Sequence, residues 1–105
     1  MDYESRIKNE QVDGLFEAVL ELENVEECYR FFEDICTVKE IQAIAQRLEV
    51  AKLLRMNKTY NEIEEKTGAS TATISRISRS LNYGVNGYNL VLDRLGYPKL
   101  DNKNS

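Results

Sequence analysis

The chain has 105 residues, 42% of them hydrophobic and 30% charged, with no tryptophan, no histidine and a net charge of −4. That length suits one domain with a modest core. The lack of histidine excludes His-based nucleophile relays and His-ligated metal sites, and no apolar run approaches membrane-spanning length.

The acidic N-terminus is unlike a signal peptide, so a cytoplasmic protein with no membrane partner is expected. Cys28 and Cys36 form neither a CxxC pair nor part of a four-ligand set, and they read as two buried, reduced thiols. Residues 1–38 carry three bases against eleven acids, a net of −8, whereas residues 39–83 carry eight bases against five acids, a net of +3. The acidity therefore belongs to the N-terminal third, and the centre of the chain is mildly basic, which permits a polyanionic partner.

In chain order the pattern is helical throughout. No alternating run is long enough for a strand, so the class is all-α. Residues 1–8 are polar and read as a flexible N-terminus. From about Glu10 to Glu23, Val12, Leu15, Phe16, Val19 and Leu20 recur at helical spacing and form a wide apolar stripe. Asn24 can end this helix and start a second, about Val25–Ile35, that presents Cys28, Phe31, Phe32 and Ile35. Thr37 and Glu40 have capping-box spacing and open the longest helix, about Val38–Met56, with Ile41, Ile44, Ala45, Leu48, Ala51 and Leu54–Arg55 on its expected buried side.

The stretch 59–82 organises the rest. Thr59 and Glu62 form a second capping box. The short helix they open stops at Gly68, a residue suited to the positive φ of a tight helix exit, and Ser70 can cap a further helix over about Thr71–Leu81. A helix, a Gly-containing turn and a capped helix are the sequence form of a helix-turn-helix. Ile74, Ile77 and Leu81 make the inward stripe of its second helix. Ala72, Ser75, Arg76 and Arg79 lie opposite, on a face that is small at its start, basic toward its end and free of acids along that helix. Residues 83–87 read as a loop, Tyr88–Leu95 as a last helix ended by Gly96, and 97–105 as a flexible tail. Residues 9–96 are accordingly expected to form a single helical domain.

Six helices expose more apolar stripe than one small core absorbs, so the first two are expected to pair two copies of the chain. A two-fold dimer would set two reading helices about one DNA turn apart.

Several runs carry a family resemblance: Thr37 with Glu40, Ala45-Gln46-Arg47-Leu48, Leu53-Leu54-Arg55, and Gly68-Ala69-Ser70-Thr71-Ala72-Thr73-Ile74-Ser75-Arg76 with Ser78 and Ser80-Leu81. On these residues the segment 35–81 resembles the Trp repressor, and the whole chain looks like a bacterial member of the YerC/YecD family of Trp-repressor-related proteins. The resemblance implies an intertwined all-helical homodimer with six helices per subunit, acting as a sequence-specific transcriptional repressor. It implies DNA-facing roles for Thr71, Ala72 and Ser75, beside Arg76 and Arg79. It also implies a ligand pocket at Thr37, Arg47 and Arg76, where two arginines would flank a small carboxylate.

Two positions depart from the family pattern. Ile77 stands where the Trp repressor has glycine, so neither tryptophan nor another small effector is expected as a cofactor. Ile77 either wedges the reading helix in a DNA-competent orientation, as indole does in the relative, or is simply core. Glu64 replaces a lysine that reaches phosphate. The function expected is that of a dimeric DNA-binding regulator. An effector-gated version and a protein-interaction module built on the acidic N-terminal helices are the alternatives. Glu62, Glu64 and Glu65 lack an acid–base partner, and no enzyme is expected.

Overall fold

The computed structural model describes residues 3–99, which form six helices and no strand: α1 (Glu10–Leu20), α2 (Val25–Ile35), α3 (Val38–Arg55), α4 (Tyr60–Thr67), α5 (Thr71–Tyr83) and α6 (Gly87–Arg94). The all-α expectation holds. Of the expected flexible ends, residues 1, 2 and 100–105 lie outside the described residues.

Most helix starts are written locally. Asn9 Oδ1 accepts the Val12 amide at 2.8 Å and Asn24 Oδ1 accepts the Glu27 amide at 2.9 Å, which are side-chain caps for α1 and α2. Thr37 and Glu40 close the expected capping box on α3, with the Thr37 amide donating to Glu40 Oε1 at 2.8 Å and the Glu40 amide to Thr37 Oγ1 at 3.1 Å. The box on α4 is likewise complete: the Thr59 amide donates to Glu62 Oε1 at 2.9 Å and the Glu62 amide to Thr59 Oγ1 at 3.1 Å. The α1 boundary differs from expectation. It ends at Leu20 rather than near Glu23, because the Glu21 and Leu22 amides turn back to the carbonyls of Ala18 and Val19 in a tightened last turn. At the other end of the chain, α5 runs on to Tyr83 and α6 begins at Gly87, so the intervening loop is shorter than its composition suggests.

The chain divides into two compact units, residues 1–41 and 42–105. In the first, neither α1 nor α2 buries a single residue. Phe31 and Phe32 pack edge to face at 5.3 Å between ring centroids, yet Leu20 is 81% exposed, and Phe16, Val25 and Tyr29 are also open. The cysteines correct the expectation of two buried thiols, since Cys28 is exposed and Cys36 half-buried.

The second unit has its own core. Val50, Ala51 and Leu53 of α3 cluster with Ile63 of α4, Ala69 of the following turn, Ile74 and Ile77 of α5, and Leu92 of α6. The expected buried side of α3 is therefore right only near its C-terminal end: Ala51 and Arg55 are buried, but Ile44 is 53% and Leu48 38% exposed.

Arg55 fastens α6 to the end of α3. Its side chain is 3% exposed, and its guanidinium donates to the carbonyl and side-chain oxygens of Asn89 at 3.3 and 3.2 Å, to the Tyr97 carbonyl at 2.6 Å, and to the Asp93 carboxylate. Asn89 in turn donates from Nδ2 to the Leu81 carbonyl at 3.1 Å, which ties α6 to the final turns of α5. Hydrogen bonds to a charged group contribute about 1.5–3 kcal/mol each where they are shielded from water. The Asp93 side chain is 65% exposed, which screens its share. Asp93→Ala should lower stability by about 1 kcal/mol, whereas Arg55→Ala, which strips the donor from several acceptors at once, should cost about 3 kcal/mol. Urea unfolding followed by circular dichroism tests the ordering, and an Asp93 variant as damaging as the Arg55 variant would contradict it.

Candidate nucleic-acid interface

The helix-turn-helix is built from α4, the turn 68–70 and α5. Gly68 takes φ +75° as the cap of α4, the left-handed conformation that glycine adopts without strain. The turn is then held from several sides. The Thr67 hydroxyl donates to the Ile63 carbonyl at 2.7 Å and accepts the Ala69 amide at 3.1 Å, while Gln46 Nε2 of α3 donates to the Thr67 carbonyl at 3.0 Å. Ser70 Oγ accepts the Thr73 amide at 3.1 Å and so caps α5. At the exit, Gly84 passes so close to the preceding turn that a Cβ there would lie 2.5 Å from the Ser80 carbonyl oxygen. Both ends of α5 are thus fixed by local chemistry.

Its faces separate as the periodicity requires. Ile74 and Ile77 are buried and Leu81 packs against the same core. Thr71, Ala72, Ser75, Arg76 and Arg79 are all exposed. The outward side of α5 has no acid of its own, but Glu64 of α4 reaches it, and the Thr71 hydroxyl donates to Glu64 Oε2. In the sequence Glu64 shows only as a replaced lysine, and the contact stays hidden because the two residues belong to different helices.

The expected ligand residues are spread differently. Thr37 serves as the cap of α3. Arg47 and Arg76 are exposed, on α3 and α5. Ile77 is a core residue, 5% exposed. A cleft of about 420 Å³ does exist in the second unit, between the end of α3, the start of α4 and the later part of α5, with Arg55, Lys58, Tyr60 and Asn82 among its walls. Arg47, Arg76 and Ile77 do not line it. Glu62, at the mouth of α4, has its carboxyl held below the usual carboxylate range, first by the Thr59 backbone amide, then by the Thr59 hydroxyl, with smaller help from Lys58 and Lys66. It is a capping group, which accounts for it without any acid–base role.

The Trp repressor family model matches residues 10–96, both units included. The chain belongs to the Trp repressor family. It is 56% identical over 90 residues to the uncharacterized protein YerC of Bacillus subtilis, spanning 86% of each chain. Among solved structures, a TrpR-like protein from Eubacterium eligens superimposes with a TM-score of 0.84 at 57% identity, covering 87% of this chain and 94% of that one. A candidate Trp repressor from Staphylococcus aureus gives a TM-score of 0.86 at 50% identity, covering 90% of this chain and 95% of that one. The six-helix Trp-repressor-like fold follows, and the family is one of DNA-binding regulators rather than enzymes. Among the described residues no helix is long and apolar enough to cross a membrane.

The burial of Ile77 generates a direct expectation. Ile77→Ala should destabilise the second unit by roughly 2–5 kcal/mol through lost burial and an unfilled cavity. Chemical denaturation would check it, and a variant within about 0.5 kcal/mol of the parent would mean that Ile77 is not a packing residue.

Proposed function

We propose that this protein is a sequence-specific DNA-binding repressor of transcription, acting as a homodimer through α4 and α5. The observation that carries this reading is the outward face of α5: small side chains at Thr71, Ala72 and Ser75, followed by Arg76 and Arg79, all exposed on a helix whose ends and inner face are structurally fixed. In helix-turn-helix proteins the N-terminal residues of the second helix meet base edges, and cations placed farther along meet phosphate. Thr71, Ala72 and Ser75 take the first role here, and Arg76 and Arg79 the second.

Dimerisation supplies what the first unit lacks. Phe16, Leu20, Val25, Tyr29, Ile35 and Val38 are exposed in the single chain, and a unit of about 40 residues ordinarily needs a partner, a metal or disulfides to be stable. A second copy covering these side chains would give them a core and present two reading helices to successive turns of a duplex. No small effector is required in this reading. Ile77 already fills the interior beneath α5, so the helix has apolar support without a bound ligand, and double-stranded DNA and a second copy of the chain are the only partners needed. The expected cellular compartment is the cytoplasm.

Fluorescence anisotropy against genomic duplex fragments, with and without tryptophan and at two salt concentrations, tests the reading. Selective binding without added ligand is expected. Arg79→Ala should weaken binding to all duplexes by a similar factor and flatten the salt dependence by about one unit of slope. Binding that appears only with tryptophan would favour the gated alternative, with Arg47 and Arg76 about the carboxylate. No duplex binding under any condition would favour the protein-interaction module.

The dimer has its own test. Light scattering should give twice the 12.1 kDa chain mass, with a melting temperature that rises with protein concentration. A single-chain mass with a concentration-independent melt would exclude it.

A further inference from the structure

The contact between Glu64 and Thr71 is unexpected on the side of a helix-turn-helix that faces a polyanion. A carboxylate there loses affinity for any duplex through repulsion of phosphate. It is not needed to start α5, because Ser70 already caps that helix through the Thr73 amide. Nor does it serve α4, whose capping box uses Glu62. An exposed hydrogen bond of this kind adds little stability. Thr71 is nevertheless the first residue of α5, the place from which a reading helix reaches base edges. Glu64 is half-buried, and its Oε2 accepts the Thr71 hydroxyl proton.

The chemistry of that pair is one-sided. With the hydroxyl proton committed to the carboxylate, Glu64 and Thr71 together offer only hydrogen-bond acceptors outward. The major-groove edges of the bases respond differently to such a group. Cytosine presents its N4 amino donor and no acceptor beside it. Adenine sets its N6 donor next to the N7 acceptor. Guanine presents N7 and O6, and thymine O4, all of which repel a carboxylate. The order of preference at this position is therefore cytosine, then adenine, with guanine and thymine rejected.

We propose that Glu64, oriented by Thr71, is a specificity-determining residue that accepts a hydrogen bond from the N4 amino group of a cytosine facing the start of α5, once in each half-site. The inference rests on the DNA-binding reading above and extends it to a residue outside the reading helix. Glu64 makes this contact, and the Thr71 hydroxyl positions it, while the rest of the Thr71 side chain keeps its place against the base edges at the start of α5. Whatever affinity the carboxylate loses against phosphate, it returns as discrimination at one base pair.

Selection of the full-length protein and of the E64Q and T71V variants on a randomised duplex library, followed by sequencing, tests the proposal. E64Q removes the charge while keeping the shape. Its amide can donate as well as accept, so it no longer rejects guanine. The parent should favour cytosine at one position per half-site by about tenfold, the range of one good side-chain–base contact. E64Q should lose that preference while retaining the rest of the motif, and T71V should weaken it at the same position. Circular dichroism melts of both variants should match the parent. If the parent selects a motif and E64Q leaves every position of it unchanged, the role of Glu64 is overturned while the DNA-binding reading stands. If E64Q instead binds all duplexes more tightly by one common factor, the carboxylate only repels phosphate, and the proposal is again overturned. A parent that selects no motif at all would remove the DNA-binding reading and this inference with it.

Discussion

The second unit depends on how the buried charge of Arg55 is satisfied. A guanidinium taken out of water must find acceptors or be excluded from the fold, and Arg55 finds them all on α6 and the residues just beyond it: Asn89, Asp93 and the Tyr97 carbonyl. These bonds, together with Leu92 in the core, hold α6 in place. Asn89 then passes the constraint on, because the same side chain that accepts from Arg55 donates to Leu81 near the end of α5. The end of α5 is thus positioned by a polar chain that starts on α3, while its beginning is positioned by Gln46, Thr67 and Ser70. Only the Arg55 Nε, buried and without a partner, is left out of this arrangement. It marks a cost that the surrounding bonds offset.

The two units solve the problem of stability differently. The second buries Ile63, Ile74, Leu92 and Val50 completely and so owns a small apolar core. The first has good helix starts, with Asn9, Asn24 and the Thr37–Glu40 box, but no buried side chain on α1 or α2. Caps select where a helix begins and contribute about 1 kcal/mol each. They do not replace burial, since ordering each residue costs a comparable amount. The exposed aromatics and aliphatics of α1 and α2 are the natural source of the missing stabilisation once another surface covers them.

What could be read from the sequence follows from the range of the interactions concerned. The helix-turn-helix was legible because its signals are local. Two capping boxes, Gly68 and Ser70 each act within a few residues, and Ile74 and Ile77 reveal their face by spacing alone. The expected end of α1 lies past the observed one because Glu21, Leu22 and Glu23 are compatible with a helix that the backbone leaves by a tightened turn. Ile44 and Leu48 stay exposed on the expected buried side of α3, because periodicity shows which face is apolar, not which part of that face finds a partner within one chain. The Arg55 network and the Glu64–Thr71 contact were invisible for a different reason. Each joins residues on separate helices, and a charged residue at the edge of an apolar stripe looks the same whether it is solvated or held.

The sharp division of α5 into a fixed interior and an exterior that carries little packing duty has an evolutionary side. Its entry is set by Gly68 and Ser70, its exit by a Gly84 that tolerates no Cβ, and its inner face by Ile74 and Ile77. None of these duties falls on Ala72, Ser75 or Arg79. Substitutions at such exposed positions usually change stability by no more than about 0.5 kcal/mol, so lineages can explore them without passing through unfolded intermediates. A scaffold of this kind separates the inheritance of shape from the inheritance of target. Duplicated copies could diverge in what they recognise while remaining superimposable in how they fold.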